Sequence, residues 1–133
     1  MAHQDGPTPK SLNFIRLGLL GQTLSLGAIA WFVAGTQGLT PGLFDGIEGY
    51  VWGGLGLSFV GLFGGVLAAR SRWRSAESYA DKHSANIMGW ALAEAAGLLG
   101  AIYLMMGGNA VFFGAGLALQ GLASYVLLPL PEP

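Results

Sequence analysis

The sequence contains no cysteine, and it contains few charged residues for its length. Only 10% of its 133 residues are Asp, Glu, Lys or Arg, compared with about 25% in typical soluble domains. The absence of cysteine excludes disulfides, zinc–thiolate sites, iron–sulfur clusters and thiol catalysis. The formal net charge of −1 gives no basic excess, so we expect no nucleic-acid partner.

Long apolar segments take the place of the missing charges. Apolar residues make up 53% of the chain, and glycine is abundant. Apolar segments of about 20 residues are long enough to cross a hydrocarbon core of about 30 Å as helices. The predicted fold class is therefore an all-α membrane protein, a single domain of four transmembrane helices in a compact bundle. The predicted spans are residues 12–34, 47–69, 84–106 and 109–128.

The basic residues fall in two places. Lys10 and Arg16 precede or begin the first span, and the others lie in a predicted loop, residues 70–83. By the positive-inside rule, this loop and both termini are expected in the cytoplasm, in a bacterial inner membrane. The charged residues singled out in this loop are Arg70, Arg72, Arg74, Glu77 and Lys82.

The first and third spans show a weak similarity to each other. A constant shift aligns Asn13 with Asn86 and Gly35 with Gly108, and the second and fourth spans align with a smaller shift. These matches indicate a duplicated helical hairpin. Chance similarity between low-complexity apolar segments is the alternative.

Three polar residues lie at a similar depth near the predicted mid-membrane level: Gln22, Glu94 and Gln120. Polar side chains in spans are expected to face the bundle interior rather than lipid. One interpretation is a hydrogen-bonded clamp in which the two amides and a protonated carboxyl group satisfy one another. The other is a binding site for H⁺ or Na⁺, because ionisable groups inside a membrane are functional candidates.

Glycines form a pattern on the second span. Small residues at four-residue spacing let membrane helices approach closely. This pattern predicts tight packing, either within one copy of the chain or against another subunit. The glycines concerned are Gly49, Gly53, Gly61 and Gly65, with Gly114 and Gly121 playing a similar role in the fourth span.

The second and third spans together resemble the helical hairpin of rotor-ring proteolipids, the c-type subunits of rotary ATP synthases. A glycine-rich helix is followed by the loop sequence RSAE and then by Glu94 in EAAGLLG, about twenty residues after Arg74. The resemblance implies that Glu94 reversibly binds H⁺ or Na⁺. It covers less than half of the chain, lacks the central Gln-Pro of the family's loop motif, and leaves the outer two spans unexplained.

No arrangement of catalytic side chains is visible, so we expect a non-enzyme without a metal site or a cofactor other than lipids. His83 is expected to be a solvated loop residue. The leading hypothesis is a small accessory subunit that packs within or onto a larger membrane complex, against other subunits or copies of itself. The alternative is an ion-carrying, rotor-like or channel-like protein centred on Glu94.

Overall fold

The computed structural model describes residues 8–131, which form helices and no strands. Three helices are long and a fourth is shorter. The fourth continues directly into a π-helical turn, Ala123–Leu127. The helices are α1 (Pro9–Gly35), α2 (Glu48–Ser75), α3 (Tyr79–Met105) and α4 (Val111–Leu122).

Local sequence signals explain where two of the helices begin. Thr8 and Ser11 form a reciprocal capping box before α1, and Pro9 occupies the first helical position, where its missing amide is harmless. The Ser78 side chain accepts a hydrogen bond from the Asp81 amide and so caps α3. After α3 the chain turns through Gly107, whose φ of 98° favours glycine.

The helices α1, α2 and α3 are each long and apolar enough to cross a membrane. The prediction of a helical protein is confirmed, and the three helices support the prediction that it is embedded in a membrane. The fourth apolar segment, Val111–Leu127, is shorter than the other three.

The segment between α2 and α3 is much shorter than the predicted loop, residues 70–83. The helix α2 continues through Ser75, and α3 begins at Tyr79, so only residues 76–78 connect them. Arginine favours helices, and its long side chain can reach water from the last turns of a membrane helix. The basic residues therefore extend α2 rather than form a flexible loop.

The helix α3 is the centre of the fold. The helices α1, α2 and α4 all pack on it, whereas α1 and α2 make almost no contact with each other. In the most apolar part of each helix, 56% of residues are buried in α3, compared with 17% in α1 and 6% in α2. The fold is thus a bundle in which three helices, α1, α2 and α4, pack around α3.

The two halves of the chain do not pack alike. The helices α3 and α4 form a close hairpin, but α1 and α2 are separated by α3. A duplicated hairpin would be expected to repeat the same contacts in both halves. The packing therefore gives no support to the predicted duplication.

Contacts define the direction of each helix and the two ends of the molecule. Leu12 of α1 clusters with Trp90 of α3, and Ala30 clusters with Ala101, so α1 runs parallel to α3. The helices α2 and α4 run antiparallel to it. We call the end with the start of α1 and residues 76–78 the Tyr79 end. The opposite end, with residues 36–47 and 106–110, is the Met105 end.

Candidate functional site in the membrane interior

The structure places Glu94 and Gln120 on facing helices in the interior of the fold. The Glu94 side chain is 7% exposed and Gln120 is fully buried. Gly97, one turn beyond Glu94, leaves the room that Gln120 uses. A Cβ atom on Gly97 would lie 3.4 Å from Gln120 Oε1 and 2.8 Å from Thr23 Cγ2. Glu94 and Gln120 therefore lie in the same region, as predicted, and Thr23 of α1 borders it.

The prediction that Gln22 belongs to this layer is wrong. Gln22 lies on the exposed face of α1, whereas its neighbour Thr23 is buried. The depth was predicted from position along the span, but neighbouring residues on a helix point about 100° apart. The hydroxyl of Thr23 donates to the Leu19 carbonyl at 3.1 Å, within its own helix.

Three atoms of this site lack hydrogen-bond partners. Glu94 Oε2 and both amide atoms of Gln120 are buried without a partner in the protein. Buried polar atoms in native proteins are nearly always satisfied by protein, water or an ion. This arrangement does not match the predicted clamp, in which the carboxyl and amide groups would satisfy one another. It leaves a carboxyl oxygen, an amide donor and an amide acceptor available to a proton, a water molecule or a cation.

Glu94 is the last member of a polar stripe along α3. The stripe consists of five residues spaced three or four apart, so they share one face of the helix: Tyr79, His83, Asn86, Trp90 and Glu94. On the same face beyond Glu94, the residues are Gly97, Ala101 and Leu104. The helical spacing of these polar residues was visible in the sequence, and it is the signal that the prediction missed.

Two members of the stripe hold the segment that follows α4. Asn86 Nδ2 donates to the Leu128 and Pro129 carbonyls, each at 2.9 Å. Trp90 Nε1 also donates to the Leu128 carbonyl at 2.9 Å. These carbonyls lie at the end of a helix, where no backbone amide is available to them. Asn86 and Trp90 therefore fix the end of the last helix against α3.

His83 differs from its predicted state as a solvated loop residue. It lies in the first turns of α3, and its Nε2 atom is buried without a partner. Its ring lies beside that of Tyr79, with centroids 6.5 Å apart. Both belong to the polar stripe at the Tyr79 end.

Arg16 brings a positive charge from α1 to the end of the last helix. Its Nη1 atom donates to the Ser124 carbonyl at 3.2 Å, and Nη2 donates to Asn13 Oδ1. Its guanidinium carbon lies 4.2 Å from the centre of the Tyr125 ring, a cation–π contact. Its Nε atom is buried without a partner. Arg16 thus connects α1 with the π-helical turn that ends the last helix.

Most of the predicted glycine packing residues make no close contact within the protein. A Cβ atom on Gly49, Gly53 or Gly61 would meet nothing within 4 Å, and the same holds for Gly114 and Gly121. Only Gly65 of the predicted set packs inside, against Leu92 of α3. Of the two predicted alternatives, packing within one copy of the chain is therefore wrong for five of the six residues, because α2 and α4 each contact the rest of the chain mainly along the side that faces α3.

The closest helix approach uses other glycines. A Cβ atom on Gly116 of α4 would lie 2.6 Å from the Gly97 Cα atom, and one on Gly100 would lie 2.5 Å from the Phe113 backbone. The helices α3 and α4 therefore cross in near backbone contact, just beyond Gln120 on the Met105 side.

The charged residues of the predicted loop surround the Tyr79 end without forming one site. Arg72, Glu77 and Asp81 line a polar surface cavity of about 480 Å³, and Arg70 and Arg74 line a separate groove. The Lys82 ammonium group lies 4.2 Å from the centre of the Trp73 ring. The four basic residues among them outnumber Glu77 and Asp81 and give the Tyr79 end a net positive charge.

Comparisons with known proteins do not extend this description. No protein-family model, curated protein or solved structure matches the chain. The resemblance to rotor-ring proteolipids stays a prediction.

Proposed function

We propose that this protein is a non-catalytic membrane subunit that packs against another membrane protein or another copy of itself. In this proposal the chain crosses the membrane four times, with both termini in the cytoplasm. The observation that carries the proposal is the position of Gln22, an amide side chain near the middle of an apolar helix on its outer face.

An amide exposed to hydrocarbon is unfavourable, because its hydrogen-bonding groups have no water there. Gly18, Gly21 and Ser25 lie on the same exposed face of α1 as Gln22. The two glycines have no heavy atom within 4 Å of a Cβ position. Small residues beside a polar one are typical of contact surfaces between membrane helices. We define this face as the Gln22 face.

The outward glycines of α2 offer a second surface of the same kind. Within the protein, glycines such as Gly97 and Gly116 already serve close helix crossing. Exposed residues of α2 such as Gly49 and Gly53 leave the same room for a helix from outside. This supports a subunit with contacts on two sides.

A photoreactive amino acid at position 22 tests the proposal in native membranes. We expect an adduct of discrete mass at position 22 and only lipid adducts at Leu24, which is also exposed but points away from this face. The adduct should disappear when Gly21→Leu blocks close approach. Lipid adducts alone at both positions would exclude a partner on the Gln22 face.

We propose reversible protonation of Glu94 as a second candidate function. The observation that supports it is that Glu94 Oε2 and both amide atoms of Gln120 are buried without hydrogen-bond partners. A carboxyl group in this setting can hold a proton or, with the Gln120 oxygen, bind a small cation.

Carbodiimide modification tests this second function. We expect a lipid-soluble carbodiimide to modify Glu94, with protection at raised pH for a proton site or by added Na⁺ for a sodium site. Glu94→Gln has nearly the same shape, should remain folded, and should abolish proton or Na⁺ exchange. Lack of modification together with unchanged exchange in Glu94→Gln would rule out an ion site.

A further inference from the structure

The buried side-chain polar atoms without a hydrogen-bond partner lie in one half of the molecule, toward the Tyr79 end. In the described part of the chain they belong to residues at the level of Gln120 or between that level and the Tyr79 end. None lies between Gln120 and the Met105 end. The residues are Arg16, Trp73, Tyr79, His83, Asn86, Glu94 and Gln120.

The half toward the Met105 end is packed differently. There the Trp52 indole donates to the Tyr103 hydroxyl at 3.0 Å, so both polar groups are satisfied. The face of α3 that carries the polar stripe continues with Ala101 and Leu104, which pack with Ala30 of α1. The crossing of α3 and α4 at Gly97 and Gly116 leaves no room for a methyl group between the backbones.

We propose that the unpartnered atoms line a narrow water path that connects Glu94 to the Tyr79 end and stops at the crossing of Gly97 with Gly116. This inference rests on the proposed protonation of Glu94 and states the side from which protons arrive. Water can bridge buried polar groups where several such groups lie together. Tyr79, His83, Asn86 and Glu94 are spaced along one face of α3, so they supply partners for water at successive depths.

Both ends of the proposed path carry polar groups that can form hydrogen bonds with water. At the outer end, the Tyr79 hydroxyl and His83 Nε2 begin the stripe. Farther in, Asn86 Oδ1 and Arg16 Nε follow, and Arg16 lies beside Ser124 of the last helix. At the inner end, Glu94 and Gln120 present the remaining unpartnered atoms.

Several charged or titratable groups border the proposed path from the helices around it. The helix α1 contributes Arg16, whose guanidinium group lies against the ring of Tyr125, a half-exposed residue of the π-helical turn after α4. The helix α3 contributes Tyr79 and His83, and α2 contributes the uncharged indole of Trp73.

The path predicts exchange with one compartment only. A proton on Glu94 would leave toward the Tyr79 end, because the described residues of the opposite half offer no buried side-chain nitrogen or oxygen atom without a partner. In this conformation the protein would therefore not conduct ions across the membrane by itself.

The absence of cysteine allows a direct test with single cysteines. Ser124→Cys changes one atom at a position only 2% exposed, beside Arg16. The controls are Ala93→Cys, in the apolar core next to Glu94, and Ala101→Cys, beyond the Gly97 crossing; both positions are fully buried. The probe is a small cationic methanethiosulfonate, which reacts with thiolates in water, added to vesicles of either orientation. Ser75→Cys and Asp45→Cys report which end of the molecule faces the reagent.

We expect Ser124→Cys to react from the side that labels Ser75→Cys, at least about tenfold faster than either control, because dry buried thiols are inert. The path is overturned if Ser124→Cys reacts no faster than Ala93→Cys. It is also overturned if Ser124→Cys reacts from the side that labels Asp45→Cys, or if Ala101→Cys reacts equally fast.

A second measurement uses the unaltered chain and does not depend on the folding of a variant. A water-soluble carbodiimide should modify Glu94 only when it is added at the Tyr79 end. Modification from the Met105 end would contradict the path. If only the lipid-soluble reagent modifies Glu94 and Ser124→Cys does not react, the water path is excluded but the proton site is not. If Ser124→Cys reacts and neither carbodiimide modifies Glu94, the proton site is excluded but the water path is not.

Discussion

Single glycines decide how closely α3 and α4 approach, and Gly116 of α4 can be tested against a glycine of the same helix that packs against nothing. A Cβ atom there would lie 2.6 Å from the Gly97 Cα atom, a backbone atom that cannot move aside. We expect Gly116→Ala to lower the free energy of unfolding by about 1–3 kcal/mol, the usual range for overpacking. Reversible unfolding in mixed micelles, followed by circular dichroism, measures this.

Gly114, in the same helix, is the matched control. A Cβ atom at this position would meet nothing within 4 Å. Alanine is also the better helix former by about 1 kcal/mol, so Gly114→Ala should leave the stability unchanged or raise it. Equal destabilisation by the two substitutions would mean that the crossing is looser than described.

For single residues, the sequence predicted how deep a side chain lies in the fold but not the direction in which it points. Glu94 and Gln120 were expected in the interior and are buried, whereas Gln22 is exposed and Thr23 is buried instead. Position along a span follows from counting residues at about 1.5 Å each. The direction of a side chain depends on which helix packs where, and α1 is too uniformly apolar to reveal its inner face.

At the scale of the helices, the polar stripe of α3 determines how the last helix ends. Asn86 Nδ2 donates to the carbonyls of Leu128 and Pro129, and the Leu128 carbonyl also accepts from Trp90 Nε1. We expect Asn86→Leu to remove the donor of the part-buried Pro129 carbonyl and one of the two donors to Leu128, and to cost about 1–2 kcal/mol. Unfolding in mixed micelles checks the loss, and a shift in Trp90 fluorescence would show that the end of the last helix has moved.

Met88→Leu is the control for this prediction, because Met88 lies two residues away and is 38% exposed. It should change stability by less than about 0.5 kcal/mol, as surface substitutions usually do. If Asn86→Leu is equally mild, the bonds to Leu128 and Pro129 contribute little to stability.

The sequence predicted the helices better than their arrangement. Apolar length indicated α1, α2 and α3 because hydrocarbon thickness sets the length of a span. The extension of α2 to Ser75 was missed because charged residues were assigned to a loop. The central place of α3 was also missed, although its polar stripe and its glycines, such as Gly97 and Gly100, distinguish it from the other helices.

On the scale of the whole molecule, the structure gathers the described basic residues at one end. Lys10 and Arg16 lie in the first turns of α1, and Lys82 lies in the first turn of α3. Arg70, Arg72 and Arg74 lie in the last turns of α2. By the directions of these helices, all six belong to the Tyr79 end. This asymmetry supports the proposed orientation, because basic residues are retained on the cytoplasmic side.

Single-cysteine labelling in intact bacterial cells tests that orientation. Ser75 and Asp45 are both exposed and lie at opposite ends of the molecule. We expect a membrane-impermeant maleimide to label Asp45→Cys in intact cells and Ser75→Cys only after the membrane is opened. The opposite pattern would place the Tyr79 end outside.

Combined replacement of Arg70, Arg72 and Arg74 by glutamine should then give a mixed pattern, because it removes half of the basic residues that hold this end inside. If the proposed orientation holds, the water path from Glu94 opens to the cytoplasm, and the pH of the cytoplasm rather than of the outside would set the protonation of that carboxyl group.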